Sequence, residues 1–243
     1  MSAAPLTGIV LGGGRSRRLG ANQSKLLTHI GGKLVLARVA DTLKQICSEL
    51  VLVVRPDQDD DIPDLGIALN MHVVTDTTPH EGPLAAIHAG LAASTTPLCF
   101  VIAGDHPFVS RNLVQAMAAT SLADGPESPT AVIPRTNGVI HPLHAIYPPT
   151  TWLPFLTHAL SEGETSPRRA IEKATAADYP PVTLFTDEEL ERVDGYLKHH
   201  CPVAHGYKIG GMYTDLMIDT APPERLVHLQ QLFERHALVH PEG

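Results

Sequence analysis

Hydrophobic positions fall along this chain in two rhythms. Residues 7–11, 50–54 and 98–103 are almost unbroken apolar runs, and 72–74 is a shorter one. Runs of this length, without alternation, predict strands covered on both faces, as in a parallel sheet. Between the first two runs, residues 34–50 carry Leu36, Val39, Ala40, Leu43, Ile46, Cys47 and Leu50 at helical spacing, with Arg38, Asp41, Lys44 and Glu49 off the stripe. That period predicts an amphipathic helix. Gly82-Pro83-Leu84 opens another helix, with Pro at its first position, small residues Ala85, Ala86, Ala89 and Ala92, and a stop near Ser94.

The second half continues in kind. A helix is expected over 113–123, strands over 130–134 and 142–147 around a loop at 135–141, and a helix over 150–160. Ser166-Pro167 caps a helix running to about Ala177. Thr186 and Glu189 form a capping box before a helix with Leu190, Val193 and Leu197 on one face. A short strand over 216–218 ends at Asp219-Thr220, and a last helix starts at Pro222-Pro223. Strands and helices that alternate in this way predict an α/β fold, a three-layer α/β/α sandwich around a mostly parallel sheet. There are no internal repeats and no long linker. The expectation is one domain over 1–243, with residues 179–215 as an irregular insertion or flap.

In such sheets ligands sit outside the carboxyl ends of the strands. The first strand ends in Leu11-Gly12-Gly13-Gly14, then Arg15, Arg17, Arg18 and, past Gly20, Lys25. Glycines let the main chain turn sharply and approach a ligand closely. With cations behind them they predict a polyphosphate cradle. Neither GxxxxGK[ST] nor GxGxxG fits, because no Gly-Lys-Ser/Thr follows and position 17 is Arg. Asp76 and Asp105 fall at the ends of two further strands. Asp105, between Gly104 and His106-Pro107, is the first candidate for a hard-oxygen ligand of Mg²⁺.

Charge sharpens this picture. With 18 basic and 26 acidic residues the net charge is −8, which argues against a nucleic-acid binder and makes the N-terminal cations a local feature. Three scattered cysteines, Cys47, Cys99 and Cys201, give no disulfide framework and suggest a reducing cytoplasm. No apolar run reaches membrane-spanning length, so no membrane role is expected. The acid run at 57–61 lacks the glycine and glutamate of a calcium loop. His141 and His144, and the group His199, His200, Cys201 and His205, have no supporting zinc pattern and read as surface or pocket histidines.

LGGGRSRRLG followed by Lys25 resembles the signature LxGGxSxRxG…K of GT-A-like nucleotidyltransferases, in the form found in molybdenum cofactor guanylyltransferases. Asp76 with GPLAAIHAGL, then AGDHPFV, HPLHAIY and IDT…PERL, match the same family in the same order. The resemblance implies a Rossmann-like, GT-A-like sheet and a Mg²⁺-dependent transfer of a nucleoside monophosphate with release of pyrophosphate. GTP is the favoured donor, with CTP the alternative, and the acceptor is a phosphate-bearing small molecule such as molybdopterin. It implies a nucleotide site at Leu11, Gly12, Gly13, Gly14, Lys25, Asp76, Gly82 and Asp105, with Lys25 and Arg18 neutralising the departing phosphates. It places metal on Asp105, and on Asp219 if that residue is not simply a helix cap. His141 would line the acceptor side. Contact with molybdenum cofactor insertion proteins is also implied.

Departures bear on the base. Gly12 stands where Ala is usual, Leu19 where Met is common, the spacer at 21–24 is long, and Val53 stands where the guanylyl enzymes carry a nucleotide-contacting Asn. Gly13 lacks a Cβ and so leaves room for a purine beside the loop. The readings kept open are a cytidylyl- or sugar-phosphate nucleotidyltransferase on the same fold, and a non-catalytic nucleotide-binding regulator. Asp105 and Lys25 together argue against the last.

Overall fold

The chain opens with β1 (Leu6–Leu11). A 3₁₀ turn over Lys25–Leu27 and a small hairpin, β2 (His29–Ile30) with β3 (Lys33–Leu34), lead into α1 (Val35–Leu43). Then follow β4 (Glu49–Val54), α2 (Asp61–Ala68), β5 (His72–Thr75), α3 (Pro83–Ala93), β6 (Leu98–Ala103) and α4 (Arg111–Ser121). β7 (Ala131–Thr136), β8 (Val139–Ile140), β9 (His144–Tyr147), α5 (Pro149–Ser161), α6 (Pro167–Ala177) and β10 (Val182–Phe185) complete the elements. This computed structural model describes residues 4–14, 24–30, 32–57, 61–76, 82–107, 109–136, 138–186, 188–190 and 192–193.

One sheet runs in the order β10-β7-β9-β6-β1-β4-β5, with β8 attached to β7. β1 pairs in parallel with β4 and β6, so that Leu11 lies opposite both Val53 and Ala103. β4 and β5 are parallel, as are β7 and β10. β9 runs against both neighbours, β6 and β7. The expected mostly parallel α/β/α sandwich is what the chain forms.

Alternation along the buried strands divides the core in two. Val10, Leu52, Phe100 and Ile102 meet Leu36, Val39, Leu43, Ile62, Val114 and Met117 of α1, α2 and α4. Ile9, Val51, Val53, Cys99 and Val101 meet Leu84, Ile87, Trp152, Leu156 and Ile171 of α3, α5 and α6. Each strand is therefore apolar on both faces, which is why the runs show no alternation. Among the described residues no helix is long and apolar enough to cross a membrane.

Three expectations need correction. The helix predicted over 34–50 ends at Leu43, because the Ser48 N–H bonds to the Leu6 carbonyl and Glu49 and Leu50 already pair with Thr7 and Gly8. Helix α2 was not expected, since Pro63 and Gly66 interrupt its pattern. Yet Asp61 and Asp64 in its first turn suit the helix dipole, and a Cβ on Gly66 would lie 2.5 Å from Leu52 Cδ2, so the bare Cα lets the helix lie close on the sheet. The stretch expected to be irregular from 179 begins instead with β10, whose Val182–Phe185 pair with residues 131–134. Half of the expected capping box forms: Thr186 donates its N–H at 2.6 Å and its hydroxyl at 2.9 Å to Glu189 Oε2. The strand expected over 216–218 and the last helix lie outside the described residues.

Candidate active site

Four main-chain hydrogen bonds tie the strand ends into one rim. Asp76 N–H donates to the Val54 carbonyl at 2.9 Å, and Gly12 N–H to Val53 at 2.7 Å. Gly104 N–H donates to Leu11 at 3.0 Å, and Ala103 N–H to Leu143 at 3.2 Å. Across the rim the order is therefore Asp76, Arg55, Gly12 to Gly14, Asp105, and then the loop with His141. Residues up to 129 positions apart in the sequence are gathered by the parallel register of β5, β4, β1 and β6 and, for the His141 loop, by the antiparallel pairing of β9 on β6. Arg18 and Asp219 lie outside the described residues.

Lys25 is fixed from below. Ser24 caps its turn by accepting the Leu26 N–H at 3.4 Å. The next side chain, Leu26, is buried between the two glycines that end β1 and β6. A Cβ on Gly12 would lie 3.5 Å from Leu26 Cδ1, and one on Gly104 would lie 2.8 Å from Leu26 Cδ2. Lys25 itself is only 7% exposed. An ammonium held this far from water is stable only where negative charge or hydrogen-bond acceptors meet it.

The glycines differ in role. Among the described residues none lies within 4 Å of a Cβ built on Gly14. Beside Gly13 the space is already filled: a Cβ there would lie 2.8 Å from Arg55 Cγ. The room expected for a purine is taken by the Arg55 stem. Val53 is buried against α3, its Cγ2 3.2 Å from a Cβ built on Gly90, so its side chain points into the core and away from the rim. Gly82 has φ +141°, and a Cβ there would lie 3.0 Å from the Thr165 carbonyl oxygen. Only glycine takes that turn comfortably, and it lets Pro83 start α3 beside the rim. Asp76 is close enough to α3 to raise the pKa of His88, against the larger lowering effect of burial on that ring.

Asp105 is half-buried, next to a histidine group sequence reasoning undervalued. His106 and His144 are 7% and 5% exposed, with ring centroids 5.8 Å apart. His144 also meets Phe100 edge-on at 5.0 Å. It is a core residue of β9, not a surface one, while His141 stays half-buried in the loop before it. Burial pushes His106 down to about 4. Burial, then the charges of His106 and His141, lower His144. Both rings are neutral near pH 7. Arg55, Leu26 and His106, which lie at or beneath this rim, carry no mark in the sequence pattern that singles them out together. Arg55 carries the same kind of signal that singled out Asp76 and Asp105, a polar residue at the carboxyl end of a strand.

Residues 8–179 match the sequence model of the MobA-like NTP transferase domain. The chain belongs to that family. A probable molybdenum cofactor guanylyltransferase of Pelotomaculum thermopropionicum is 34% identical over 141 residues, 58% of this chain and 62% of that protein. The molybdenum cofactor guanylyltransferase of Desulfosudis oleivorans is 30% identical over 206 residues, 79% of this chain and 96% of that one. The crystal structure of molybdopterin-guanine dinucleotide biosynthesis protein A from Archaeoglobus fulgidus superposes with a TM-score of 0.66, covering 94% of this chain and 99% of that one at 21% identity. As a MobA-like NTP transferase domain, the chain has the nucleotidyltransferase fold that its motifs predicted.

Proposed function

We propose that the protein transfers GMP from GTP to molybdopterin or its molybdenum-loaded form and releases pyrophosphate. The observation that carries this reading is the convergence of the glycine turn, buried Lys25 and Asp105 on one rim, in a chain of this family with guanylyltransferase relatives.

An oxygen of the acceptor phosphate attacks the α-phosphorus of GTP, and the bond from that phosphorus to the bridging oxygen of the β-phosphate breaks. Such a transfer needs positioning and charge neutralisation more than covalent help. Main-chain N–H groups of the glycine turn hold the phosphates. The Lys25 ammonium, and Arg18 in the sequence before it, take up charge as pyrophosphate departs. Asp105 offers a hard oxygen beside this turn, which suits Mg²⁺, and among the described residues no group of three His, Cys, Asp or Glu side chains builds a closed metal cage. Mg²⁺ bound there supplies positive charge against the phosphate oxygens. Asp219 is a second candidate ligand, and Asp76 and Gly82 flank the nucleoside. His141 lies across Asp105 from the nucleotide turn, on the side left for the acceptor. We place the protein in the cytoplasm as a single domain that hands its product to molybdenum cofactor insertion proteins.

The test is pyrophosphate release by the full chain with Mg²⁺, molybdopterin, and GTP or CTP in parallel. Release that depends on both GTP and the acceptor is expected. Release with CTP alone would move the protein to the cytidylyl reading, and none with any nucleotide would leave only a binding role.

A further inference from the structure

Arg55 follows β4 and lies along the rim on the side of the glycine turn away from Lys25 and Asp105. Its stem covers the bare Cα of Gly13: a Cβ there would lie 2.8 Å from Cγ and 3.5 Å from Cδ. Nη1 reaches Asp57 Oδ1 at 3.4 Å, which orients the guanidinium. Nε is buried and has no hydrogen-bond acceptor among the described residues. A buried N–H without an acceptor is costly, and native structures rarely leave one so without reason.

The neighbours say what the acceptor is. With phosphates on the Lys25 and Asp105 side, a nucleotide lying over Gly13 carries its base toward Arg55. A guanidinium fork fits two adjacent acceptors in one plane. Among the bases, guanine alone presents such a pair on its outer edge, O6 and N7. Adenine and cytosine place an amino donor there. We propose that Arg55 reads the base, taking the O6 and N7 of guanine with its stem held on Gly13. This rests on the reading of GTP as donor. It also explains how Val53 can replace a polar contact: the residue two places on reaches the rim instead.

Binding of GTP, 7-deaza-GTP and CTP to the full chain in Mg²⁺ buffer, by calorimetry, tests this. The parent should prefer GTP to 7-deaza-GTP by about tenfold, the scale of one hydrogen bond to a charged group. Arg55→Ala should weaken GTP by at least about tenfold and bind GTP and 7-deaza-GTP alike. If that variant melts early, Arg55→Met, which keeps an apolar stem over Gly13 but carries no donor, should lose the same discrimination while folded. A variant that keeps the parental ratio of GTP to 7-deaza-GTP overturns the role of Arg55 and leaves the donor reading intact. Tighter binding of CTP than GTP by the parent overturns both.

Discussion

Leu26 lies against the bare Cα of Gly104, so closely that a Cβ at position 104 would sit 2.8 Å from Leu26 Cδ2. Through this contact the turn that carries Lys25 is seated on the strand end that carries Asp105. The spacing of the Lys25 turn from the Asp105 strand end is thus set by an apolar contact behind them.

Gly104→Ala should disturb both stability and activity. The new methyl would also meet the Leu11 carbonyl oxygen at 3.1 Å and Val10 Cγ1 at 3.3 Å, so little can give way. Overpacking of this kind costs about 1–3 kcal/mol. Urea unfolding should show that loss, and turnover should fall more than GTP affinity does, because the turn moves with Leu26. An unchanged midpoint with unchanged turnover would show that the contact is slack.

Lys25→Ala should lower kcat by about a hundredfold, the usual scale for removing one group that meets transition-state charge, with Kd for GTP changed less than tenfold. Steady-state rates and calorimetry separate the two. A raised KM with kcat intact would make Lys25 a docking residue.

Asp105→Ala should remove transfer and keep the fold. Its side chain is half-buried at a strand end and outside both core clusters. Circular dichroism should match the parent while pyrophosphate release drops by about a hundredfold or more. Release within tenfold of the parent would take the metal away from this residue.

Acid should destabilise the protein in two steps. His106 titrates near 4 when folded and near 6.5 when unfolded, so the unfolded chain binds protons first and stability is lost as pH falls from about 6.5 to 4. His144 is shifted in the same direction. Glu164 comes next. Burial alone would raise it, but the Ser166 N–H, Arg169, Lys173 and the Thr165 N–H outweigh that and hold it at about 2 against an ordinary 4.5. Its contribution is present above 4.5 and lost as pH falls toward 2. Urea midpoints across pH should decline through both windows. His106→Gln should flatten the upper limb, and Glu164→Gln the lower.

Much of this was legible in the sequence because buried parallel strands leave an uninterrupted apolar mark. Residues 98–103 and 167–177 were bounded to the residue or nearly so, since Gly104, Ser166 and Pro167 punctuate them. The placement of the glycine turn, Asp76 and Asp105 at strand ends was legible because each follows an apolar run, and Lys25 was marked by its motif. What escaped depends on distant partners. Leu26 looks like any apolar residue until Gly12 and Gly104 close around it. Arg55 looks like the end of a strand until Gly13 leaves space for its stem. β10 is only four residues long, and pairing with β7, not its own pattern, makes it a strand.

The reversed strand β9 divides the labour of the rim. Arg55, the glycine turn and Asp105 lie at the carboxyl ends of strands that end at the rim. The far wall comes from a strand that begins there, with residues 141–143 leading from β8 into β9 and tied to the rim by the Ala103 N–H on the Leu143 carbonyl. The two walls therefore stand on strands of opposite direction. Grafting that loop and β9 from a relative should change which molecule receives the nucleotide while the choice of nucleotide stays with the host.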